Sequence, residues 1–210
     1  HVFELVEKED SRDPDLSGVA VYSSETRGWV YKENRWNKRV LLIELQLSSV
    51  FLNGYMHFQV DSGDFSCCLA VVDTVRETWM NFNVPSGLVD GFIQQSQGRL
   101  HYANFQRDTD GGVFRLVVYV LENYQSKEWI LKHSVETSHM FRGNLVFMNP
   151  NFEWIMIHPD CNLIFFDAGL TKFICYNTGS RQVEVFCSCE DGRPPFLPYV
   201  SLYSELHSLP

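Results

Sequence analysis

A chain of 210 residues, 45% hydrophobic and 14% aromatic, has enough apolar side chains for one or two folded domains, and this excludes a disordered protein. Its formal charge of −9 and the lack of any long run of Lys or Arg argue against nucleic-acid binding. No stretch approaches the roughly 18 consecutive apolar residues of a transmembrane helix, so no membrane span is expected.

The six cysteines include no Cys-x-x-Cys pair, and a domain of this size needs no disulfide framework. We therefore expect reduced thiols and an intracellular location, either cytoplasmic or nuclear.

Taken in chain order, residues 1–7 resemble a strand that recurs at 100–105. Four hairpins are then predicted where an apolar pair, a polar turn and a large apolar residue follow one another. The pairs flanking these turns are Tyr22 and Trp29, Val72 and Trp79, Tyr119 and Trp129, and Tyr176 and Val183. Residues 119 and 129 are ten positions apart rather than seven, which predicts a turn enlarged by residues 123–125.

A second type of hairpin is predicted upstream of three of these turns. Asn53-Gly54 and Gln97-Gly98 lie between apolar runs and supply the positive φ that a tight hairpin needs. Residues 158–162 form a longer polar segment at the corresponding place in the next unit. Each unit thus contains about four short strands joined by hairpins.

The pattern repeats, because Trp29, Trp79 and Trp129 are 50 residues apart. A period of this size is typical of propellers and solenoids. We predict an all-β, Kelch-like β-propeller of about four blades with four antiparallel strands each, and a β-sandwich is the second choice. The repeats would cover residues 1–47, 48–89, 90–148 and 149–190, with each Trp packed between adjacent blades.

The first repeat lacks its first strand, so we expect the chain to be a fragment. The tail 191–210 contains Pro194, Pro195, Pro198 and Pro210, which limit regular pairing, although 199–203 could form an edge strand.

Candidate catalytic groups have simpler structural explanations. His57 and His101 occupy the same repeat position, which indicates architecture rather than a unique site. His158 and Cys161 lie in a segment that replaces a tight turn, and residues 108–112 match only the first half of a calcium loop. No enzyme motif is present, so neither catalysis nor a bound cofactor or metal is expected.

The connections between second and third strands are expected to emerge at one end, at 7–18, 60–66, 107–112 and 167–171. They contain ten acidic residues against Lys8, Arg12 and Arg107. This is a solvated rim or a docking surface for a basic protein segment. The candidate protein-binding residues are Asp61, Asp64, Arg107, Asp108, Asp110 and Asp167.

Five segments carry a family resemblance over nearly the whole chain, at 51–58, 68–79, 96–103, 119–133 and 196–205. The most distinctive parts are Glu128-Trp129-x-Leu131-Lys132-His133 and Leu197-Pro198-Tyr199-Val200. They resemble the F-box-associated β-propeller domain of plant, especially grass, F-box proteins. The resemblance implies a non-enzymatic substrate receptor of an SCF-type ubiquitin ligase. Such a receptor binds its target protein through the propeller. It reaches a Skp-type adaptor and a cullin through an F-box, which is absent from this sequence. The alternative is a Kelch or galactose-oxidase-like propeller that is enzymatic or binds a small ligand.

Overall fold

The computed structural model of the chain describes residues 2–7, 16–33, 35–36, 41–42, 49–61, 67–73, 78–85, 91–110, 112–140, 153–158, 160–167 and 172–188. Strands dominate, and the described residues include only one short helix, α1 (Thr137–Met140). The all-β prediction is confirmed.

The strands form four antiparallel sheets in chain order, called sheets 1 to 4. Sheet 1 contains β1 (Val2–Glu7), β2 (Leu16–Ser23) and β3 (Gly28–Glu33). Sheet 2 contains β4 (Leu41–Leu42), β5 (Ser49–Leu52), β6 (Tyr55–Asp61), β7 (Cys67–Asp73) and β8 (Trp79–Asn83). Sheet 3 contains β9 (Phe92–Ser96), β10 (Arg99–Arg107), β11 (Val113–Asn123) and β12 (Glu128–Glu136). Sheet 4 contains β13 (Glu153–Ile157), β14 (Leu163–Asp167), β15 (Lys172–Asn177) and β16 (Gln182–Ser188).

The boundary predicted between the first two repeats is wrong. β4 pairs with the end of β6, and β5 pairs with its beginning, so both lie along the same edge of sheet 2. Residues 41–42 therefore belong to the second unit rather than to the repeat predicted for 1–47. The apolar pair Leu41-Leu42 extends the pairing edge beyond β5.

The hairpins between the last two strands match the prediction in three sheets and differ in the fourth. Tyr22 pairs with Trp29, Val72 with Trp79, and Tyr176 with Val183. In sheet 3, Trp129 pairs with Leu121 rather than with Tyr119. The extra spacing arises from register shifts in the β11–β12 ladder and not from a larger turn. The turns at 24–27, 124–127 and 178–181 have the same length.

The tight hairpins before them have the predicted geometry. Asn53 and Gly54 have φ of 52° and 83°, and Gln97 and Gly98 have φ of 50° and 69°. Two successive positive φ angles define the type I′ turn, whose twist matches that of the flanking strands. In sheet 4 the longer loop is closed by the amide of His158, which donates to the carbonyl of Leu163 over 2.8 Å.

Consecutive sheets pack face to face through three apolar clusters. Sheets 1 and 2 meet at a cluster that includes Leu16, Phe58 and Val72. The cluster between sheets 2 and 3 contains Val71 and Tyr102, among others. Sheets 3 and 4 are joined by a cluster whose members include Phe105, Leu116, Ile164, Phe166 and Tyr176. Strand alternation explains this arrangement, since successive side chains of β6, β7 and β10 point to opposite neighbouring sheets.

The three repeated tryptophans occupy equivalent outer strands but are buried to different extents. Trp79 packs on the cluster between sheets 1 and 2, and Trp129 packs on the cluster between sheets 2 and 3. Each therefore faces the preceding sheet, as predicted. Trp29 pairs with Tyr22 on the face of sheet 1 that is turned away from sheet 2, and it is 53% exposed. Inter-sheet packing is thus the wrong prediction for Trp29, because no described sheet covers that face.

Sheets 2, 3 and 4 approach one another most extensively at their first strands. β9 lies against both β5 and β13, with Cα atoms within 8 Å. Among the described residues, no two fourth strands of neighbouring sheets are as close. The most extensive close approach between neighbouring sheets 2, 3 and 4 is therefore at their first strands. Among the described strands, no sheet closes on itself.

Candidate functional site

Because neighbouring strands are antiparallel, each sheet has two ends that contain different connections between strands. The turns at 24–27, 53–54, 97–98, 124–127 and 178–181 lie at one end, which we call the hairpin end. The connections β1–β2, β6–β7, β10–β11 and β14–β15 lie at the other, which we call the loop end. Contacts between neighbouring turns align the hairpin ends of sheets 3 and 4, since the Gln97 amide donates to Oδ1 of Asn162 over 3.1 Å.

At the loop end, residues 107–112 form a turn held by one carboxylate. Oδ1 of Asp108 accepts hydrogen bonds from the amides of Asp110 at 3.1 Å and Gly112 at 2.6 Å. The amide of Asp108 also donates to the carbonyl of Gly112 over 2.8 Å. This carboxylate organises its own loop in the manner of an Asx-turn. The half calcium motif is therefore explained as turn chemistry.

The structure places the six predicted binding residues at the loop end as far as they are described. Arg107, Asp108 and Asp110 are exposed. Asp61 is the last residue of β6, and Asp167 is the last residue of β14. The backbone of each residue pairs with a strand on both sides. Asp64 lies outside the described residues. Of the predicted cluster, only the residues of the β10–β11 loop are thus brought together in the described part of the chain.

His57 is a fully buried histidine between sheets 2 and 3. Its Nδ1 lies 2.8 Å from the carbonyl oxygen of Val50, and its Nε2 lies 2.9 Å from the hydroxyl of Tyr124. A carbonyl can only accept, so Nδ1 carries the proton and Nε2 accepts from the tyrosine. Burial lowers the pKa of His57 to about 4 against the opposing effect of the Val50 hydrogen bond. The imidazole is neutral and fully paired, which agrees with a structural role.

His101, its repeat equivalent, has different neighbours. Its Nδ1 lies 3.2 Å from the carbonyl of Arg99, and the Lys132 amine lies 3.5 Å from Nε2. Burial lowers the pKa of His101 to about 4, and the cations Lys132 and Arg99 act in the same direction. Lys132 also donates to Oε1 of Gln97 over 3.1 Å. Sequence reasoning missed this group of basic side chains, since its members are scattered along the chain.

The segment around His158 and Cys161 behaves as a turn. Nδ1 of His158 accepts from the amide of Asp160 over 3.1 Å, so the ring serves the local backbone. Cys161 is a free, half-buried thiol, and Cys68 and Cys175 are free and buried. Burial, followed by Glu184 and Cys161, raises the pKa of Cys175 to about 11, which keeps that thiol protonated and unreactive. Within the described residues, no three His, Cys, Asp or Glu side chains converge as metal ligands would.

Comparison with known proteins adds no relative, because neither a protein-family model nor a curated protein matches the sequence. In the part of the chain that the structure describes, no helix has the length and apolar character needed to cross a bilayer.

Proposed function

We propose that this chain is a protein-interaction domain with a β-propeller-type arrangement of sheets, and that it binds a target protein through its loop end. The observation that carries the proposal is the common end at which the connections between second and third strands leave successive sheets. The strand ends that flank these connections lie at the loop end of each sheet, and loops joined to a sheet scaffold are how many binding domains present variable surfaces.

The contacts between first strands support the propeller part of the proposal. Blades of a propeller pack closely near the axis and separate towards the rim, because each is rotated relative to the last. The close approach of β5 to β9 and of β9 to β13, with no equally extensive approach of the described fourth strands, follows this geometry. A sandwich would instead place two sheets at a nearly uniform spacing.

Charge indicates the type of target. Asp108 and Asp110 are exposed at the loop end, and the connections there have a large acidic excess in sequence. Such a surface favours a partner segment rich in Lys or Arg and accelerates its association at low ionic strength. We assign the target-binding role to Asp61, Asp64, Arg107, Asp108, Asp110 and Asp167.

The link to ubiquitin ligation rests on the resemblance to F-box-associated domains. Under this proposal the domain recruits the protein to be modified, and an F-box elsewhere in a longer protein binds a Skp-type adaptor and a cullin. The fold by itself carries no such assignment, since one fold supports many functions.

The test uses charge reversal at the loop end. Because Asp108 organises its own turn, it is left intact, and the variant carries Asp61→Lys, Asp64→Lys and Asp110→Lys. The matched control is Glu25→Lys, which reverses an exposed charge in a turn at the hairpin end. Proteins captured by the immobilised chain are identified by mass spectrometry, and the association rate of each is measured at two salt concentrations.

A partner that binds through the loop end should associate with the wild type and with Glu25→Lys, and about ten-fold more slowly with the triple variant at low salt. Equal association with all three proteins would contradict the proposal. Stoichiometric copper or zinc in the purified protein would instead favour the enzymatic alternative.

A further inference from the structure

Two inter-sheet contacts can be compared residue by residue because the repeat fixes the register. The hairpins at 53–54 and 97–98 have the same type I′ geometry, so Tyr55 of sheet 2 corresponds to Arg99 of sheet 3. By the same alignment, His57 corresponds to His101.

The turns that cover these histidines also align. Asn123 pairs with Glu128 and Asn177 pairs with Gln182 across turns of equal length. Both asparagines accept hydrogen bonds from the turn amides through Oδ1. Tyr124 therefore corresponds to Thr178, and Lys127 corresponds to Arg181. The last two have φ of 56° and 58°, respectively.

Between sheets 2 and 3, two tyrosines close the hairpin end. Tyr55 and Tyr124 stack with ring centroids 5.0 Å apart, and the Tyr124 hydroxyl caps His57. The turn cation Lys127 donates to the carbonyl of Asn81 over 2.9 Å. Nε2 of His57 and the amine of Lys127 thus both have hydrogen-bond partners in the protein.

Between sheets 3 and 4, neither tyrosine is present, and one of the two positions holds a cation. Arg99 replaces the first tyrosine, and the short Thr178 replaces the second, with its hydroxyl donating to the Asn162 carbonyl over 3.2 Å. The Lys132 amine takes the place of the capping hydroxyl beside His101. Arg181 is the turn cation, and its turn is linked to Lys132 through Thr178, Asn162 and Gln97.

This cluster contains more positive than negative charge. Arg99, Lys132 and Arg181 are all exposed, and one carboxylate, Glu122, is bound to Arg99 over 2.6 Å. Burial and the Arg99 charge lower the pKa of Lys132. Burial lowers that of His133 as well, followed by Lys132 and Arg181. These three cations lie in a protein whose formal net charge is −9.

We propose that Arg99, Lys132 and Arg181 form a phosphate-binding site at the hairpin end, between sheets 3 and 4. Three cations against one carboxylate leave an excess of two positive charges, which matches a phosphate dianion better than a single carboxylate. The guanidinium groups supply paired donors in a planar fork and Lys132 supplies a point charge, a combination suited to several phosphate oxygens. The site lies opposite the loop end, so it does not depend on the proposed target-binding surface.

The experiment is an NMR titration of the 210-residue chain with inorganic phosphate at constant ionic strength, following the imidazole signals of His101 and His133. The wild type should show saturable changes. Lys132→Gln and Arg181→Gln should each weaken binding about ten-fold, the usual effect of losing one charge-assisted hydrogen bond. Arg181 lies in an exposed turn, so its variant tests the site without altering the core.

Lys127→Gln is the matched control, because it removes a cation from the equivalent turn position in sheet 3. Its affinity for phosphate should equal that of the wild type, and Lys132→Arg should retain binding. A second titration with N-acetyl-phosphoserine amide identifies the source of the phosphate. Tighter binding than inorganic phosphate assigns a phosphorylated side chain, and equal or weaker binding assigns the free ion.

The proposal is overturned if the wild type shows no saturable change with either probe. It is also overturned if Lys127→Gln weakens binding as much as Arg181→Gln does, because the effect would then reflect general surface charge.

Discussion

Two histidines at one repeat position show how a single side chain is adapted to different neighbours. His57 is neutral because burial lowers its pKa to about 4, while its Nδ1 donates to the Val50 carbonyl and its Nε2 accepts from the Tyr124 hydroxyl. His101 faces an amine in place of the hydroxyl. The buried imidazole at this position is therefore capped by a tyrosine hydroxyl between sheets 2 and 3, whereas between sheets 3 and 4 it lies beside exposed cations.

The buried state of His57 predicts a pH-dependent stability. Its pKa is lowered from 6.5 to about 4 on folding, so the unfolded chain binds more protons between these values. This contribution is fully present above pH 6.5 and is lost as the pH falls towards 4. The contribution is at most about 3.5 kcal/mol, from about 1.4 kcal/mol per pKa unit over 2.5 units.

In urea unfolding of the wild type, the free energy of unfolding should rise as the pH increases from 4 to 7. His57→Gln should reduce the slope of this dependence on pH. His139→Gln is the control, because His139 is exposed and its side chain meets only Glu136. A slope unaffected by His57→Gln would show that other groups control the acid response.

At the scale of elements, the hairpins were the part that sequence predicted best. Turn residues act locally, so Asn53-Gly54 and Gln97-Gly98 specify their type I′ geometry without help from the rest of the fold. The register shift near Leu121 was missed, since a bulge depends on how two strands pair and leaves no local pattern. β4 was misplaced for the same reason, because only its pairing with β6 assigns it to sheet 2.

The two candidate sites differ in the same way in how far the sequence predicts them. Sequence located the loop at 107–112, whose residues are adjacent in the chain. It did not find the basic cluster of Arg99, Lys132 and Arg181, whose members are far apart in the chain and belong to sheets 3 and 4. Long-range sheet contacts are not encoded in any single segment.

The tight turns predict a specific cost for losing glycine. Gly54 has a φ of 83°, and an added Cβ would meet no atom within 4 Å, so the cost of Gly54→Ala is conformational rather than steric. We expect a loss of about 1 kcal/mol in the free energy of unfolding. Gly28→Ala is the control, because its φ lies outside the left-handed region and its nearest contact is 3.9 Å away. Equal losses in the two variants would argue against the type I′ turn.

On the scale of the whole molecule, two of the three contacts between sheets have an outer tryptophan on the preceding sheet, and Val183 takes that place between sheets 3 and 4. Trp79 and Trp129 follow this rule, whereas the equivalent face of sheet 1 leaves Trp29 53% and Tyr31 52% exposed. Exposed aromatic faces of this kind promote association.

Alanine substitution of the three tryptophans should therefore have unequal effects. Trp79→Ala and Trp129→Ala should each cost roughly 2–4 kcal/mol of unfolding free energy, because both side chains pack on apolar clusters. Trp29→Ala should cost less than about 1 kcal/mol and should reduce self-association. Chemical unfolding measures the first quantity, and sedimentation velocity measures the second. Equal destabilisation by all three would contradict the burial pattern.

The central claim is that the four sheets diverge radially, as blades do, rather than stack at constant spacing. Spin labels on non-natural amino acids, which leave the natural cysteines in place, allow a direct distance measurement between sheets 2 and 4. One doubly labelled protein carries labels at Ser49 and Met156 on the first strands, and the other carries them at Asn81 and Glu184 on the fourth. The two pairs are matched in register, since Ser49 and Asn81 lie on one row of sheet 2, and Met156 and Glu184 lie on one row of sheet 4. The account predicts that the distance between the fourth-strand labels exceeds the distance between the first-strand labels by about 10 Å or more. Sheets stacked at the usual spacing of about 10 Å would give about 20 Å for both pairs, and this result would contradict the account.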